Sequence, residues 1–360
     1  MAYTTINDPS KYFQVALYTG NQNANVAVVN DGNSDLQPDW VWGKNRDGDS
    51  NHWLFDSSRG TTKMIQSDQN NAEETQSGVT AFNSDGFTLG DWIGSTKTNE
   101  AYAAWQWKAN GGTTATNDAS STSVGSIDSV IQANTDAGFS IVTYTGTTGA
   151  ETIAHGLGVA PAMIICKNRS SAKNWAVYHH KNTSAPETDY LRLDTTAATA
   201  DNSVFWNDTA PTSTVFSVGT NGGVNEDGEN LVAYCFAEKQ GYSKFGAFIG
   251  NNNADGAFVY LGFKPRWFMV KNATQTHDNN DWIIFDSARE TNNEIDTFVR
   301  ANESTAEVTS GRNEVDFLSN GFKARSSYGD FNGGSGHVFI YMAFAEHPFV
   351  SSTGTPTTAK

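Results

Sequence analysis

The sequence predicts an all-β chain made of three tandem β-sandwich units of jelly-roll or lectin-like type. Charged residues are only 17% of the 360-residue chain, whereas Gly, Asn, Thr and Ser are abundant, which is typical of short strands joined by polar turns. Runs of β-branched and aromatic residues recur between such turns, as in sandwiches and barrels. The strongest indication is that one pattern occurs three times along the chain.

The repeated pattern has four elements in a fixed order. Each copy begins with an aromatic residue two positions before a glycine, at Tyr18, Tyr144 and Phe248. A proline and an apolar run that ends in Lys-Asn follow, at residues 38–45, 161–168 and 265–272. A second strand comes next, at residues 52–56, 175–179 and 282–286. A third strand closes the copy, at residues 102–107, 233–238 and 341–346.

The copies place the unit boundaries at residues 1–110, 139–243 and 244–349, with about seven to nine short strands in each. Residues 111–138, rich in Gly, Thr, Ser and Asp, are predicted to be a flexible connector, and residues 350–360 a mobile tail or an attachment point. Recurring large side chains are predicted to fill the cores, namely Trp40, Trp53, Met163, Trp175, Trp267 and Trp282.

The two cysteines, Cys166 and Cys235, are predicted to be inert and buried. In the comparison of the copies, Cys166 takes the place of Gly43 and Val270. Cys235 takes the place of Ala104 and Ala343. Small or apolar residues at these positions favour packing over a disulfide or a metal site.

Composition and charge exclude two classes of partner. The formal net charge is −16 and the 23 Lys and Arg residues form no basic run, so the chain would repel a nucleic-acid backbone. No apolar stretch approaches the ~20 residues needed to cross a bilayer, and residues 1–13 lack the pattern of a signal peptide. The sequence thus predicts no nucleic-acid partner, no membrane insertion and synthesis in the cytoplasm.

Motifs of the common enzyme classes are absent from the sequence. It has no G-x-S-x-G, no H-E-x-x-H, no phosphate-binding loop and no dinucleotide-binding glycine pattern. A sandwich-fold glycosidase needs paired carboxylates, and the nearest approach, Glu314 and Asp316, lacks a second glutamate. Their alternation with apolar residues is typical of a half-buried strand. The sequence therefore predicts a protein that is not an enzyme, with a glycan-cleaving enzyme as the minor alternative.

One loop carries spaced oxygen ligands for calcium. Asp47 and Asp49 have the spacing of a Ca²⁺ loop, but the twelfth position lacks the bidentate glutamate of an EF-hand. A looser Ca²⁺ site there or at residues 225–229 stays open beside the interpretation as polar turns. His179 and His180 point to opposite faces of a strand, so they are not expected to bind one metal ion. No other cofactor is indicated.

Two tryptophans lie outside the repeated pattern and among polar turn residues. Trp92, and Trp206 with its neighbours Asn207 and Asp208, have the chemistry to stack against a sugar ring and bond to its hydroxyls. The alternative is that both indoles belong to the cores. The recurring Lys-Asn pairs are interpreted as turns in which the Asn side chain bonds to the backbone.

Several longer phrases resemble those of repeat-domain virion proteins of marine tailed bacteriophages. They are Lys11-Tyr12-Phe13 with Tyr18-Thr19-Gly20, Asp35–Trp40, Ala233–Glu238, Gly241–Phe245 and Ala343–Glu346. The resemblance covers nearly the whole chain. It implies a tail-fibre-like protein of the virion, assembled in the host cytoplasm, that binds host surface glycans, contacts other virion proteins and forms a homo-oligomer, expected to be a trimer. A capsid or tail decoration protein with a purely structural role is the alternative.

Overall fold

The computed structural model of the chain describes residues 2–277, 280–312 and 314–356. Its regular structure is almost entirely β-strand, and the strands of the main sheets pair antiparallel. The prediction of an all-β chain of β-sandwich character is confirmed. Within the described residues, no helix is long and apolar enough to cross a membrane.

Repeat 1, the name used below for residues 1–110, begins with a 3-10 helix at Pro9–Lys11, which Asp8 caps by accepting a hydrogen bond from the Ser10 N–H. One helical turn, α1 (Ile93–Thr96), precedes its last strand. Its strands are β1 (Phe13–Thr19), β2 (Val26–Val28), β3 (Trp40–Asn45), β4 (Trp53–Asp56), β5 (Lys63–Met64), β6 (Glu74–Thr75), β7 (Val79–Phe82), β8 (Phe87–Leu89) and β9 (Ala101–Trp107).

Residues 111–138 are not the flexible connector that the sequence predicted. They form β10 (Ala115–Asn117), the helical turn α2 (Ala119–Thr122) and β11 (Ser129–Asn134). β11 pairs over its whole length with the first strand of the next repeat, and β10 pairs with β11. Composition gave no sign of these strands, because buried polar side chains such as Gln132 hold β11 in place.

Repeat 2, residues 139–243, and repeat 3, residues 244–349, continue the chain. Repeat 2 contains α3 (Ser203–Trp206), α4 (Gly222–Asn225), β12 (Phe139–Thr145), β13 (Glu151–Ala154), β14 (Met163–Asn168), β15 (Ala176–His179), β16 (Asp189–Tyr190), β17 (Ala200–Asp201), β18 (Val215–Val218) and β19 (Asn230–Phe236). The strands of repeat 3, the first of which starts one residue before the predicted boundary, are β20 (Ser243–Ile249), β21 (Phe258–Tyr260), β22 (Phe263–Asn272), β23 (Trp282–Asp286), β24 (Thr297–Arg300), β25 (Val308–Thr309), β26 (Val315–Leu318), β27 (Gly321–Ala324) and β28 (Val338–Pro348).

Each repeat contributes four strands in the same order to a main sheet. The orders are β1-β9-β3-β4, β12-β19-β14-β15 and β20-β28-β22-β23. Trp107, Phe236 and Phe344 are equivalent, because they lie opposite Trp40, Met163 and Trp267 respectively. This register corrects the sequence comparison of the last strands by two residues. Cys235 is therefore equivalent to Gln106 rather than to Ala104.

A second, smaller sheet covers the outer face of each main sheet. These sheets have the orders β2-β8-β7, β13-β18 and β21-β27-β26. Val41 of β3 packs toward the second sheet of its repeat, whereas Trp40 and Trp42 face the opposite side. Since both faces of the central strand are buried, its sequence is an apolar run rather than an alternation of apolar and polar residues.

The inner faces of the three main sheets pack together in one central core. This core draws residues from all three repeats, among them Trp40, Met163 and Trp267. The ring centroids of Trp40 and Tyr234 are 4.4 Å apart, and those of Trp107 and Trp267 are 5.5 Å apart. Aromatic contacts of this kind contribute about 0.5–1.5 kcal/mol each beyond the burial of their surface. The three repeats thus share one central core, and each repeat also has a local core of its own.

The predicted core residues are all buried, although Trp53 differs from the others in its location. Trp53 lies in the local core of repeat 1 and crosses Gly43, where an added Cβ would come within 1.9 Å of its ring. In repeat 2 the same pair of positions holds Cys166 and Ala176. The space between the two strands is filled in repeat 1 by Trp53 opposite glycine, and in repeat 2 by two small residues. The other predicted core residues lie in the central core, namely Trp40, Met163, Trp175, Trp267 and Trp282.

The described part of the predicted tail is held against the start of the chain. The Ser352 N–H donates to Asn7 Oδ1 at 2.7 Å, and Asn7 Nδ2 donates to Ser352 Oγ at 2.7 Å. Val350 bridges to Pro356. Residues 357–360 of the predicted tail lie outside the described residues.

Candidate binding groove

The residues predicted to bind a glycan differ in their exposure. Trp206 is only 2% exposed and packs with its ring centroid 6.0 Å from that of Tyr178, so its faces are not available to a sugar. Trp92 is half-buried against the local core of repeat 1. Asn207 and Asp208 are exposed, but their φ angles of +53° and +44° belong to the turn that ends α3. The expectation that Trp206 lines a surface site is therefore corrected.

The two aspartates predicted to bind calcium accept backbone hydrogen bonds that fix their loop. Asp47 Oδ2 accepts a hydrogen bond from the Ala101 N–H at 2.7 Å. Asp49 Oδ1 accepts one from the Ala306 N–H of repeat 3 at 2.9 Å. Among the described residues, no three His, Cys, Asp or Glu side chains are grouped as a metal site would require. Calcium binding by this loop stays a prediction.

The carboxylates considered for glycoside hydrolysis are both ion-paired. Glu314 Oε1 lies 3.0 Å from Arg312 Nη2, and the Glu314 side chain is buried. Asp316 Oδ2 lies 3.4 Å from Arg325 Nε. Buried and half-buried residues alternate along β26, as predicted for Asp316, whereas Glu314, which directly precedes the strand, is buried.

The asparagine of each Lys-Asn pair makes the turn that the sequence predicted. Asn45 Oδ1 accepts hydrogen bonds from the N–H groups of Asp47 and Gly48, at 3.0 and 2.9 Å. Asn168 and Asn272 make corresponding bonds two residues ahead, to Ser170 and Thr274. These bonds satisfy backbone groups at the point where the strand ends.

The lysine of each pair has a role that the sequence analysis missed, since its buried ammonium reaches another repeat. In every case the acceptor is a backbone carbonyl: Lys44 Nζ donates to Ser304, Lys167 Nζ to Asn70 and Lys271 Nζ to Thr196, at 3.0, 3.2 and 3.0 Å. Burial lowers the pKa of all three amines to about 8, so they remain charged donors at neutral pH. The lysines therefore link repeat 1 to 3, repeat 2 to 1 and repeat 3 to 2.

A second set of bonds runs in the same cyclic order. It starts from the equivalent residue at or directly before the start of β4, β15 and β23, which is His52, Trp175 or Trp282. The indole N–H of Trp175 donates to the Gln66 carbonyl and that of Trp282 to the Arg192 carbonyl, both at 2.8 Å. His52 Nε2 lies 2.9 Å from the Arg300 carbonyl. Two independent sets of contacts thus relate the three repeats by an approximate threefold arrangement.

The junction between repeats 1 and 2 contains a buried chain of charges. The Tyr234 hydroxyl donates to Asp56 Oδ2 at 2.7 Å, and Asp56 is paired with Arg59. Glu73 Oε2 bridges Arg59 and Arg169 at 2.9 and 2.8 Å. Burial by itself raises the pKa of Glu73, but hydrogen bonds and charge from the two guanidiniums hold this pKa below its usual value.

The junction between repeats 3 and 1 repeats this chain at equivalent positions. Trp105 Nε1 donates to Asp286 Oδ2 at 3.0 Å, and Asp286 is paired with Arg289 at 2.6 Å. Glu307 bridges Arg289 and Arg46, at 2.9 and 2.8 Å. Burial alone raises the pKa of Asp286, and the Arg289 guanidinium holds it below its usual value.

At the junction between repeats 2 and 3 the equivalent chain of side chains is uncharged, because each of its positions carries a different residue. Thr199 replaces the bridging glutamate, and its hydroxyl donates to Asn182 Oδ1 at 2.6 Å. His179 Nε2 lies 3.1 Å from the Tyr341 carbonyl. Burial, assisted by the neighbouring His180, lowers the pKa of His179 to about 3, so the ring is neutral. The set of equivalent residues is Met342, His179, Asn182, Thr199 and Ala273.

The threefold arrangement creates a groove beside the first main-sheet strand of each repeat, and in repeat 2 this groove is filled. The occupant is β11, which pairs with β12 and places Gln132 opposite Ile141. Gln132 is fully buried, and its Nε2 donates to the hydroxyls of Ser57 and Ser58 in repeat 1 at 3.0 and 2.7 Å. A strand of the chain itself therefore covers this edge.

The groove beside β1 is partly covered by a loop of repeat 1. Gln14 Nε2 donates to the Ser34 carbonyl at 2.7 Å, and the Gly32 N–H donates to Gln14 Oε1 at 2.9 Å. The remaining cavity, of about 310 Å³, is lined by polar groups that include Arg266 and Glu346. This cavity is smaller than the one beside β20, and Arg266 and Glu346 give it a charged lining.

The groove beside β20, called the β20 groove below, is open and has a volume of about 610 Å³. One wall is the edge of β20, and the opposite wall comes from repeat 2. Phe258 and Tyr260 of β21 lie at its rim with 50% and 46% of their surface exposed, and Ile249 at the end of β20 is 56% exposed. Its remaining lining includes residues from both repeats, His180, Lys181, Thr183, Glu238, Lys244 and Phe245.

Polar side chains in the β20 groove bond to the backbone of β20 and β21 and remain partly exposed. His180 Nε2 lies 2.8 Å from the Phe245 carbonyl, and Glu238 Oε1 accepts from the Phe245 N–H at 2.9 Å. Lys244 Nζ donates to the Tyr260 carbonyl and lies 5.6 Å from the centre of the Tyr260 ring. The His180 and Glu238 side chains are 28% and 41% exposed, so solvent competes with these bonds.

The β20 groove lies outside the loops that the sequence singled out as candidate sites. Those loops lie around Asp47, Trp92 and Trp206. The signal that was available is that Phe258 and Tyr260 have no aromatic counterparts in the other copies and alternate along one short strand. Their exposure could not be read from the sequence, because it depends on the missing cover over β20.

The fold and the groove define a β-sandwich protein of three linked main sheets with one open, aromatic-lined strand edge. The chain belongs to the DUF7483 family, described as a domain of unknown function, whose model matches residues 8–348. No curated protein matches the sequence.

Proposed function

We propose that the protein is a non-enzymatic binding and assembly component of a bacteriophage particle. The observation that carries this proposal is that one of three equivalent grooves is filled by a strand of the chain, whereas the β20 groove is open and apolar at its rim. Contiguous exposed apolar surface of this kind typically marks an interaction site. The resemblance of the repeated phrases to virion proteins of marine tailed phages supports the place of action.

The polar residues of the repeats support a scaffold role rather than catalysis. Lys44, Lys167 and Lys271 bond to carbonyls across the repeat junctions, and Asp56 and Asp286 are paired with arginines. Groups engaged in this way hold surfaces in fixed positions and are not available to a substrate. The resulting rigid block is suited to contacts with other particle proteins and to the trimer expected from the resemblance.

Mass spectrometry of purified phage particles tests this proposal. Lysates that carry the gene are banded by density, and peptides of this chain are quantified against those of the major capsid protein. We expect the chain to band with intact particles at a constant ratio through repeated purification. A chain that stays in the particle-free fraction would overturn the proposal. Light scattering of the purified chain then tests the expected trimer.

Binding of host surface glycans is a second candidate function, favoured by the exposed rings of Phe258 and Tyr260 beside Thr183 and Lys181. A glycan array probed with the wild-type chain and with Tyr260→Ala tests it. Tyr328→Ala is the matched control, since Tyr328 is also an exposed tyrosine of repeat 3 but lies outside the groove. Signals that Tyr260→Ala abolishes and Tyr328→Ala retains would support glycan recognition, and no signal above background would exclude it.

A further inference from the structure

We infer that the β20 groove receives an extended segment of a partner polypeptide, which joins β20 as an added antiparallel strand. The inference rests on the proposed function and names the class of partner. It is argued from the filled groove of repeat 2, from the unpaired edge of β20 and from the charges that line the open groove.

The filled groove shows what an occupant looks like. In repeat 2, Ile141 lies opposite Tyr234 on one side and opposite Gln132 of β11 on the other. In repeat 3, Phe245 lies opposite Met342, which is equivalent to Tyr234. The same edge position is therefore covered by a strand in one repeat and by no strand in the other. Within the described residues, β20 is the edge of its sheet.

The backbone of β20 offers bonding groups to a new strand. The N–H and carbonyl of Phe245 bond to the side chains of Glu238 and His180, which shows that both groups point away from β28. Strand alternation places the backbone groups of Ala247 and Ile249 on the same side. Both of these residues are exposed. An apolar edge with outward N–H and carbonyl groups is a template for strand addition unless something covers it.

The lining of the groove specifies the chemistry of the occupant. The positions of Ser57 and Ser58, which bond to Gln132 in the filled groove, are taken by His180 and Lys181 in the open one. The Lys181 ammonium there favours an acidic residue in place of the glutamine. The residue before Gln132 in β11, on the other face, is Ile131, which packs against the local core of repeat 2. We therefore expect a segment in which an acidic residue adjoins an apolar one that packs on Phe258 and Tyr260.

A labelled peptide that copies the internal strand tests this inference. The probe is residues 127–135 of the chain carrying Gln132→Glu, and its binding is followed by fluorescence anisotropy with the full-length protein. Ala247→Pro removes one outward N–H, and a proline is tolerated at a strand edge where the N–H does not pair within the sheet. We expect Ala247→Pro to weaken binding by about tenfold or more, as for loss of a backbone hydrogen bond, and Ala247→Ser to leave binding unchanged.

Hydrogen exchange identifies the groove that the peptide occupies. We expect the peptide to slow exchange in residues 243–249 and to leave residues 139–145 unchanged, because β11 already covers that edge. If near-UV circular dichroism shows that Ala247→Pro is misfolded, Ile249→Lys replaces it, since a charge at an apolar edge also opposes strand addition.

Three results would overturn the inference. One is the absence of peptide binding, and another is binding that neither edge variant weakens. The third is self-association that both variants abolish without added peptide, which would assign the edge to a second copy of the chain. If particle proteomics succeeds and the peptide fails, the proposed function stands and only this inference falls.

Discussion

The replacement Glu73→Thr is expected to destabilise the protein strongly, because it breaks the charge chain between repeats 1 and 2. Glu73 is the acceptor for Arg59 and Arg169, and the side chains of Arg59 and Glu73 are 0% and 11% exposed. Removing one partner from a buried ion pair costs about 3–5 kcal/mol, since the other charge stays buried. Arg59 keeps Asp56 and the Leu54 carbonyl as acceptors, so we expect the lower end, about 3 kcal/mol.

The residues of the neutral junction supply the second half of this test. Thr199 and Asn182 occupy the positions of Glu73 and Arg59 there and form a 2.6 Å hydrogen bond. Arg59→Asn combined with Glu73→Thr should therefore cost less than the sum of the single replacements, by about 1–3 kcal/mol. Glu74→Thr, on the exposed neighbouring residue, is the matched control and should change stability by less than about 0.5 kcal/mol.

Denaturant unfolding monitored by tryptophan fluorescence measures these free energies. The pKa of Glu73 is held below its usual value in the folded chain, so its contribution to stability is present above the unfolded pKa and is lost as pH falls through the folded one. The difference between wild type and Glu73→Thr should thus shrink below about pH 4. Additive single effects, or a cost of Glu73→Thr below about 1 kcal/mol, would refute the account of the junctions.

Three further predictions follow from other buried groups. Lys167→Met should destabilise the chain by about 2 kcal/mol, because three carbonyls lose their donor. Burial lowers the pKa of Lys167 to about 8, so the unfolded state binds more protons than the folded state between about pH 8 and 10. The contribution of this amine to the free energy of unfolding therefore rises with pH in that range. Urea titrations should show a smaller rise in the Lys167→Met variant than in the wild type. His179→Asp should cost about 3 kcal/mol by chemical unfolding, because Met342 and Asn182 offer the new carboxylate no charge, and a neutral result would contradict the roles assigned at this junction. Burial raises the pKa of Cys166 to about 12 and that of Cys235 as well, so neither thiol should react with a maleimide at pH 7 until denaturant is added, and rapid labelling of the native chain would contradict their burial.

Much of the fold could be predicted because the repeated pattern marks the same strands in each copy. The apolar runs that end at Asn45, Asn168 and Asn272 are central strands of the main sheets, and the asparagine turns are present. Recurrence correctly assigned Trp40 and Trp267 to a core. It could not show that one core serves three copies, because hydrophobic periodicity does not state what an apolar face packs against.

The predicted sites failed for a related physical reason. Trp206 was singled out by its polar neighbours, but these neighbours cap and end a helical turn whose buried side carries the indole. β11 was missed because its key side chain, Gln132, is polar and finds its partners in another repeat. The open groove depends on the absence of such a strand beside β20. Features that depend on contacts between repeats leave little trace in local composition.

A cryo-electron microscopy map of the phage particle would test the central claim most directly. The account predicts that the chain occupies defined sites on the tail or capsid, with additional density for a strand antiparallel to β20 between Phe258 and His180. Particles that lack the chain, or a well-resolved chain whose β20 edge faces only solvent in every copy, would contradict it.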